Sequence, residues 1–385
     1  MSRALTRRVL GTAALITSMS LLATACGDGD DAPEAAGDRS GALSGVCPAT
    51  VVIQADWEPE AEHGGIYQLL GDGYTVNTQA KSVKGPLVAS GEDTGVDVEI
   101  RIGGASVGYQ TAQSLLYQDK DIMFGYGRVS EHLVTQKDTP VVSVFAQLEK
   151  SPYAIYWDPA TYPDATTIAD LKKDKVKILL GSDVTVWQEY LVGTGVIDKA
   201  QIDQSDSPKP ATFVAAGGKV AETGFITAEP YMYEVETKAW GKPVKGQLIH
   251  DTGFPEYFQS MVVRKEDVTK QKDCLSKLVP ILQQAQVDYI TDYAATNKKI
   301  IDLVDQYQTS WIYTPGQAEA SVKAQIDMGL IANGDDSTLG NYDLPRVQQL
   351  IDLITEYAPD ADISGITPED LVTNEFINPS IGLTP

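Results

Sequence analysis

The chain has 385 residues, a formal net charge of -23 and an apolar content of 43%. This acidity excludes a nucleic-acid-binding protein, because binding to phosphates needs Lys and Arg to replace counterions. The length favours two lobes over one core.

The first predicted element is an export signal over residues 1–25. Three arginines precede an apolar stretch over residues 9–23, and small residues stand directly before Cys26. This ending resembles the lipobox of bacterial lipoproteins. The resemblance implies cleavage before Cys26, a diacylglyceryl group on its sulfur, and attachment to the outer face of the cell membrane. The alternative is an ordinary secretion signal with Cys26 as a stray thiol.

Residues 26–47 are predicted to be a flexible tether, since Gly, Asp, Ala, Pro, Glu and Ser dominate them. Two cysteines remain beyond it, Cys47 and Cys274. An extracytoplasmic setting permits a disulfide between them, which would tie the start of the folded part to a distant helix. Two free thiols are the alternative.

The folded part begins with alternating strands and helices. Residues 71–95 interrupt this order with a Gly-rich, polar stretch that we interpret as a hairpin. The alternation predicts an α/β fold with a parallel sheet. The predicted strands cover residues 51–55, 96–102, 121–125 and 140–148, and the helices 62–70, 107–117 and 128–136.

The pattern restarts at residue 151, with strands predicted over 153–157, 176–180 and 223–227. A strand over 258–264 is expected to cross back to the first lobe, and the rest of the chain is predicted to be helical. Thr-Pro pairs at 314–315 and 367–368 are typical of helix starts. We therefore assign residues 48–150 and 256–385 to lobe 1 and residues 151–255 to lobe 2.

Residues 56–67 follow the first strand and read Asp-Trp-Glu-Pro-Glu-Ala-Glu-His-Gly-Gly-Ile-Tyr. Ligands of open parallel sheets bind beyond the carboxyl ends of the strands, so this loop should border a cleft. A tryptophan there can stack on a flat ring or a cationic head. The predicted ligand contacts are Asp56, Trp57, His63, Tyr67, Ser106, Tyr126, Trp187 and Glu229.

The motif Asp-Trp-x-Pro-x-x-Glu-His-Gly-Gly-x-Tyr resembles the thiamine-precursor branch of the nitrate/sulfonate/taurine substrate-binding superfamily. Three further segments resemble that superfamily: Ile102-Gly103-Gly104, Glu229-Pro230-Tyr231 and Thr373-Asn374-Glu375-Phe376. The resemblance implies a type II periplasmic-binding-protein fold, with two lobes, two crossings and a hinge that closes on solute. It also implies that Trp57 is the family's stacking aromatic, His63 its imidazole and Glu229 its second-lobe acid.

The resemblance implies a monomeric, lipid-anchored solute receptor of an ABC importer, which hands its solute to a membrane permease and is not an enzyme. We expect no cofactor. Glu58, Glu60 and Glu62 in the first loop favour a cationic or hydrogen-bond-donating solute, such as a thiamine-like pyrimidine. The alternative within this class is nitrate, an alkanesulfonate or another small anion, for which Arg101 and Arg128 are the nearby cations.

An alternative of another class is a secreted serine hydrolase. The segment Gly104-Ala105-Ser106-Val107-Gly108 matches a nucleophile elbow and lies between a predicted strand and helix. Ser106 would then be the nucleophile. Only two strands are predicted before it, which is fewer than an α/β-hydrolase usually has.

Overall fold

Two β-sheets organise the part of the chain that the computed structural model describes, which is residues 40–181, 186–205 and 208–384. The predicted signal peptide and Cys26 lie outside the described residues. No described helix is both long and apolar enough to cross a membrane.

The strands alternate with helices in the first half of the chain, as predicted. The strands are β1 Thr50–Gln54, β2 Thr75–Asn77, β3 Ser82–Ala89, β4 Glu92–Arg101, β5 Ile122–Gly127, β6 Val141–Leu148, β7 Tyr153–Trp157, β8 Lys177–Leu179, β9 Ile202–Asp203, β10 Val220–Phe225, β11 Lys245–Leu248 and β12 Phe258–Arg264.

The helices are concentrated after β12, also as predicted. They are α1 Gly64–Gln68, α2 Ala112–Gln118, α3 Val129–Thr135, α4 Val186–Gly193, α5 Pro210–Ala215, α6 Glu229–Tyr231, α7 Asp267–Lys270, α8 Lys272–Thr291, α9 Ala294–Tyr307, α10 Pro315–Asp327, α11 Leu344–Tyr357 and α12 Pro368–Leu371. Short 3-10 turns precede α1 and α2, at Ala61–His63 and Gly104–Val107, and a π-turn over Met232–Glu236 follows α6.

The first sheet has the strand order β2-β3-β4-β1-β5-β12-β6 and is the centre of lobe 1. β1 pairs in parallel with β4 and β5, so the carboxyl ends of these three strands meet at one edge. β12 lies antiparallel between β5 and β6, which confirms the predicted return of the chain to this sheet. The second sheet, β11-β7-β10-β8-β9, is the centre of lobe 2.

The first sheet is mixed, where the sequence predicts a parallel one, because both β12 and the inserted residues 71–95 add antiparallel strands. β2 and β3 pair antiparallel with each other and with β4 at its outer side. Ser82, the first residue of β3, pairs with Arg101, the last residue of β4. The amide of Ile102 donates to the carbonyl of Lys81, at 3.2 Å. The hairpin therefore places Lys81 at the edge where β1 and β4 end.

The C-terminal region belongs to both lobes, whereas the sequence assigns residues 256–385 to lobe 1. The apolar stripe of α11, which includes Val347 and Ile351, packs into one core with Leu191 of α4 in lobe 2. The backbone at Gly193 also lies against the ring of Tyr357, where a Cβ would come within 2.1 Å. Burial of this stripe requires an apolar partner, and α4 supplies it.

The N-terminal end of the described chain is packed. Leu43 is fully buried, and its amide donates to the carbonyl of Thr94 at 2.9 Å. Residues 40–47 were included in the predicted tether, but this part lies on lobe 1. Cys47 forms a disulfide with Cys274 of α8 across a sequence separation of 227 residues. A loop-closure argument assigns such a crosslink about 4–5 kcal/mol.

Candidate functional site

The loop after β1 forms a wall at the carboxyl edge of the first sheet. Its backbone is fixed to the loop after β4, because the amides of Gly103 and Gly104 donate to the carbonyls of Trp57 and Asp56 at 2.9 and 3.1 Å. A Cβ at Gly103 would lie 2.4 Å from the Asp56 carbonyl oxygen. Only glycine at position 103 permits this approach of the two loops.

Three carboxylates of this loop are buried. Glu58, Glu60 and Glu62 are 6%, 5% and 2% exposed. The hydroxyl of Thr309 donates to Glu58 at 3.3 Å, and Ser106 is a second hydroxyl partner of Glu58. Oε1 of Glu60 has no hydrogen-bond partner among the described residues. Buried carboxylates are ordinarily hydrogen-bonded, so Glu60 differs in this respect from Glu58.

Lobe 2 brings a fourth glutamate to the same place. Glu229 begins α6, directly after β10, and accepts a hydrogen bond from the amide of Phe225 at 2.7 Å. Thr227, in the same turn, donates its hydroxyl to Glu62 of lobe 1. The Glu62 carboxylate therefore joins the two lobes.

We call Asp56, Glu58, Glu60, Glu62 and Glu229 the cleft acids. Burial raises the pKa of Glu60 well above its ordinary value, and the charges of the other four cleft acids raise it further. Burial raises the pKa of Glu229 to about 8, with Glu222 and Glu62 contributing repulsion. Glu60 and Glu229 are thus in environments that disfavour their ionised forms.

Buried side chains hold the loop after β1 in place through hydrogen bonds and ring stacking. Nε2 of His63 lies 2.7 Å from Oδ1 of Asp56, and its ring stacks on Tyr126 with centroids 5.4 Å apart. The Tyr126 hydroxyl donates to Gln147, whose amide nitrogen donates to the Glu62 carbonyl. His63 and Tyr126 are both fully buried, so they orient Asp56 and the loop in this form of the molecule.

Tyr67 is also fully buried, on α1 behind the same loop. Its hydroxyl has no partner among the described residues. Burial raises the pKa of Tyr67, and the charges of Glu58 and Glu60 add to that rise. The hydroxyl therefore lies within electrostatic reach of two cleft acids.

The rings around Trp57 come from three parts of the chain. Tyr109 and Trp311 each lie 6.1 Å from Trp57 between centroids, tilted by 39° and 87°. Nε1 of Trp311 donates to the carbonyl of Pro59 at 3.2 Å. The backbone of Gly104 lies under the Trp57 ring, where a Cβ would be 3.0 Å from it. Sequence reasoning missed Tyr109 and Trp311.

The two lobes meet at a second place, near the start of α10. The Thr314 hydroxyl donates to the Glu236 carboxylate of lobe 2 and also caps α10 by accepting from the Gln317 amide at 3.1 Å. A Cβ at Gly316 would lie 1.9 Å from the Tyr231 hydroxyl. The segment 229–236 of lobe 2 therefore contacts lobe 1 at both of its ends.

The two arginines considered for an anion are already engaged. Arg101 donates to Glu99 and Asp119 at 2.9 and 2.7 Å. The guanidinium of Arg128 lies over the rings of Tyr153 and Phe258, 5.7 and 5.9 Å from their centroids. Nε of Arg128 is also 3.9 Å from Glu131.

Of the two remaining predicted contacts, Trp187 lies apart from the cleft acids and Ser106 lies beside one of them. Trp187 is 5% exposed and packs in the lobe 2 core, 6.4 Å from the Tyr153 ring. Ser106 is exposed on its 3-10 turn, and its hydroxyl is near Glu58. No histidine is hydrogen-bonded to Ser106 in the part of the chain that the structure describes. Within the described ranges, no group of three or more His, Cys, Asp or Glu residues is arranged to hold a metal ion.

Comparisons with known proteins give structural matches only. No protein-family model and no curated protein match the chain. The ligand-binding component of an ABC-type import system from Staphylococcus aureus, with zinc bound, has a TM-score of 0.52 at 10% identity, covering 86% of this chain and 99% of its own. The alkanesulfonate-binding protein SsuA from Xanthomonas axonopodis pv. citri, bound to MOPS, has a TM-score of 0.51 at 13% identity, with 85% and 98% covered.

The periplasmic aliphatic sulphonate binding protein SsuA from Escherichia coli gives a TM-score of 0.50 at 13% identity, covering 88% of this chain and 95% of its own. At these identities the likeness shows the fold alone. The chain thus has the two-lobed periplasmic-binding-protein fold, as predicted.

Proposed function

We propose that this protein is the solute-binding component of an ABC importer, which captures a small aromatic heterocycle between its lobes. The fold supports this role, since the solved neighbours include a ligand-binding component of an ABC-type import system. In two-lobed receptors of this kind, solute shifts the hinge equilibrium towards the closed form, and that form is recognised by a permease.

The observation that carries the choice of solute is the composition of the wall after β1. Trp57 offers a ring face beside Tyr109 and Trp311, and the cleft acids offer acceptors for ring nitrogens and amino groups. A pyrimidine of the thiamine-precursor type combines a flat ring with donors of this kind. We propose Asp56, Trp57 and Glu229 as direct contacts, with His63 and Tyr126 holding the wall.

A small anion such as nitrate or an alkanesulfonate is the competing solute, and two of the solved neighbours bind sulfonates by name. The buried acids argue against it here, since they would repel an anion in a low-dielectric cleft. Arg101 and Arg128 are engaged elsewhere, as described above.

Attachment to the outer face of the membrane through Cys26 completes the proposal. It rests on the lipobox-like sequence before Cys26. Mass spectrometry of the protein from the membrane fraction tests it. An unmodified Cys26 would refute the anchor while leaving the solute proposal intact.

Calorimetry tests the choice of solute. We expect a hydroxymethyl-substituted aminopyrimidine to bind and methanesulfonate not to bind. Trp57→Ala should weaken pyrimidine binding about tenfold to a hundredfold, because ring stacking contributes roughly 1–3 kcal/mol per base, and Trp57→Phe should restore most of it. Tight binding of methanesulfonate without any pyrimidine binding would reject the proposed solute class. Labelling of Ser106 by a fluorophosphonate would favour the hydrolase instead.

A further inference from the structure

Three of the cleft acids, Glu60, Glu62 and Glu229, have no Lys or Arg partner among the described residues. Four of the cleft acids belong to the loop after β1, and Glu229 approaches from the other lobe. Asp56 differs from these three, because Nε2 of His63 lies 2.7 Å from its Oδ1. Lys81 acts on Glu58 and also donates a hydrogen bond to the carbonyl of Tyr307. A buried carboxyl without a partner favours its protonated form, and a cation bound beside it would favour the ionised form.

Three buried polar atoms around the cleft acids also lack partners. Oε1 of Glu60, Nδ1 of His63 and the hydroxyl of Tyr67 have no hydrogen-bond partner in the described ranges. Their residues are 5%, 0% and 0% exposed. Nearly all buried polar groups in folded proteins are satisfied. Of the three, Oε1 of Glu60 belongs to a cleft acid, and an ionised carboxylate only accepts, so it calls for a hydrogen-bond donor on the solute.

The placement of the acids on both lobes means that the charge of the bound solute affects closure of the lobes. Thr227 and Glu229 lie in one turn of lobe 2, and Thr227 is hydrogen-bonded to Glu62 of lobe 1. Each approach of the lobes thus brings Glu229 towards the lobe 1 acids. In a medium of low dielectric constant, like charges oppose this approach and a cation between them favours it. Trp57 adds a ring face that attracts a cation as well.

From this geometry we infer that the solute is an organic cation, in which a protonated nitrogen lies among Glu60, Glu62 and Glu229 while a flat ring lies against Trp57. This inference rests on the proposed function and narrows it from aromatic heterocycles to positively charged ones. A neutral ring would leave the cleft acids without compensation, and an anion would add to their repulsion.

A matched pair of probes tests the charge alone. We would measure, by calorimetry at neutral pH, the binding of an aminopyrimidine with an aminomethyl substituent and of the same ring with a hydroxymethyl substituent. The aminomethyl group is protonated at this pH, and the two probes otherwise have nearly the same shape. A charge-assisted hydrogen bond in a buried site predicts that the cation binds about tenfold to a hundredfold tighter.

Substitutions then test which acids cause the preference for the cationic ring. Glu60→Gln keeps the shape of the side chain and cannot become charged, so the ratio of the cation's affinity to that of the neutral ring should fall towards unity. The control is Glu319→Gln on α10, whose side chain is 57% exposed and pairs with Lys323. This variant should retain the full preference of the natural protein.

The outcomes separate the two proposals. Equal or tighter binding of the neutral ring would overturn the inference and leave the proposed function standing. An unchanged preference in Glu60→Gln would also overturn the assignment of the charge to these acids. Failure of both rings to bind at millimolar concentration, with or without binding of methanesulfonate, would remove the inference together with the solute class on which it rests.

Discussion

Two regions of the chain enclose carboxylates, and they differ in whether an arginine faces the carboxylate. At the junction of the lobes, Glu149 faces Arg346, and at the end of β12, Asp267 faces Arg264 at 2.7 Å. We call Glu149 and Asp267 the paired acids. The cleft acids Glu60 and Glu229 have no guanidinium opposite them in the described residues. Other buried acids are satisfied without a cation, as Glu222 is by the Tyr233 hydroxyl and the Lys209 amide, whereas Oε1 of Glu60 has no hydrogen-bond partner among the described residues.

Arg346, which faces Glu149, makes several hydrogen bonds and one ring contact. Arg346 donates to the Glu149 carboxylate, to the Pro255 carbonyl at 3.0 Å and to the Glu256 carbonyl at 3.2 Å. Its guanidinium also lies 3.8 Å from the centroid of the Tyr257 ring. The planar fork of Arg suits this geometry in a way that Lys cannot reproduce.

The largest effect is therefore expected from Arg346→Met. The variant leaves Glu149 buried without its partner, and we expect the free energy of unfolding to fall by about 3–5 kcal/mol. Chemical denaturation at neutral pH measures the change. Arg346→Lys should lose less, because one charge remains. A loss below about 1 kcal/mol would show that the paired acids are no better compensated than the cleft acids.

A smaller change in the free energy of unfolding is expected when the pH is raised. Burial raises the pKa of Glu222 to about 7 and of Glu229 to about 8, from an ordinary value of 4.5. The folded state therefore favours their protonated forms, so their stabilising contribution is complete below about pH 4.5 and is lost as the pH rises to 7 and 8. We expect the free energy of unfolding to decrease over this window by roughly 2–4 kcal/mol.

Glu229→Gln separates the two groups. This variant should remove the share of Glu229, which extends from about pH 4.5 to 8, and keep the share of Glu222, which extends from about pH 4.5 to 7. Denaturation curves measured at several pH values check the prediction. A natural protein whose stability rises steadily from pH 5 to 8 would contradict the environment assigned to both glutamates.

The third change, Glu60→Gln, is expected to increase the free energy of unfolding. Glu60→Gln replaces a buried, uncompensated carboxyl by a neutral group of the same shape, so we expect the empty protein to gain about 1 kcal/mol at neutral pH. Thermal unfolding without solute measures this gain. A destabilisation as large as that of Arg346→Met would mean that Glu60 has a structural partner and belongs with the paired acids.

The smallest change in the free energy of unfolding is expected from a substitution in an exposed ion pair. Nζ of Lys323 lies 2.6 Å from Glu319, and both side chains are more than half exposed. Exposed pairs contribute less than about 1 kcal/mol because water screens them. Lys323→Met should therefore change the free energy of unfolding by less than about 0.5 kcal/mol. A larger loss would show that pairing alone, without burial, decides the contrast between the two regions.

Much of the fold is predictable from local patterns. Alternation of apolar residues locates β4, and the Thr-Pro pairs locate the starts of α10 and α12, where Thr314 and Thr367 cap as expected. The two-lobed architecture follows from the order of these elements. The wall after β1 is also visible in the sequence, because its acids and its ring stand within one short loop.

Other features depend on partners far apart in the chain. Nothing near Trp311 or Tyr109 marks them as neighbours of Trp57, since the three rings meet only when α9, the turn before α2 and β1 reach one edge. The packing of α11 on lobe 2 has the same origin. Its apolar stripe predicts burial, but the choice of α4 as partner depends on where the chain crosses between sheets.

Local patterns are sufficient to predict the strands, the helix caps, the two-lobed order and the acids beside Trp57, because each of these depends on residues close together in the chain. The folded chain alone shows that Glu229 approaches Glu60 and Glu62 from the opposite lobe while the nearby arginines are engaged elsewhere. Charge compensation is a property of three-dimensional neighbours, so the unpaired state of the cleft acids could be recognised only after folding brought both walls together.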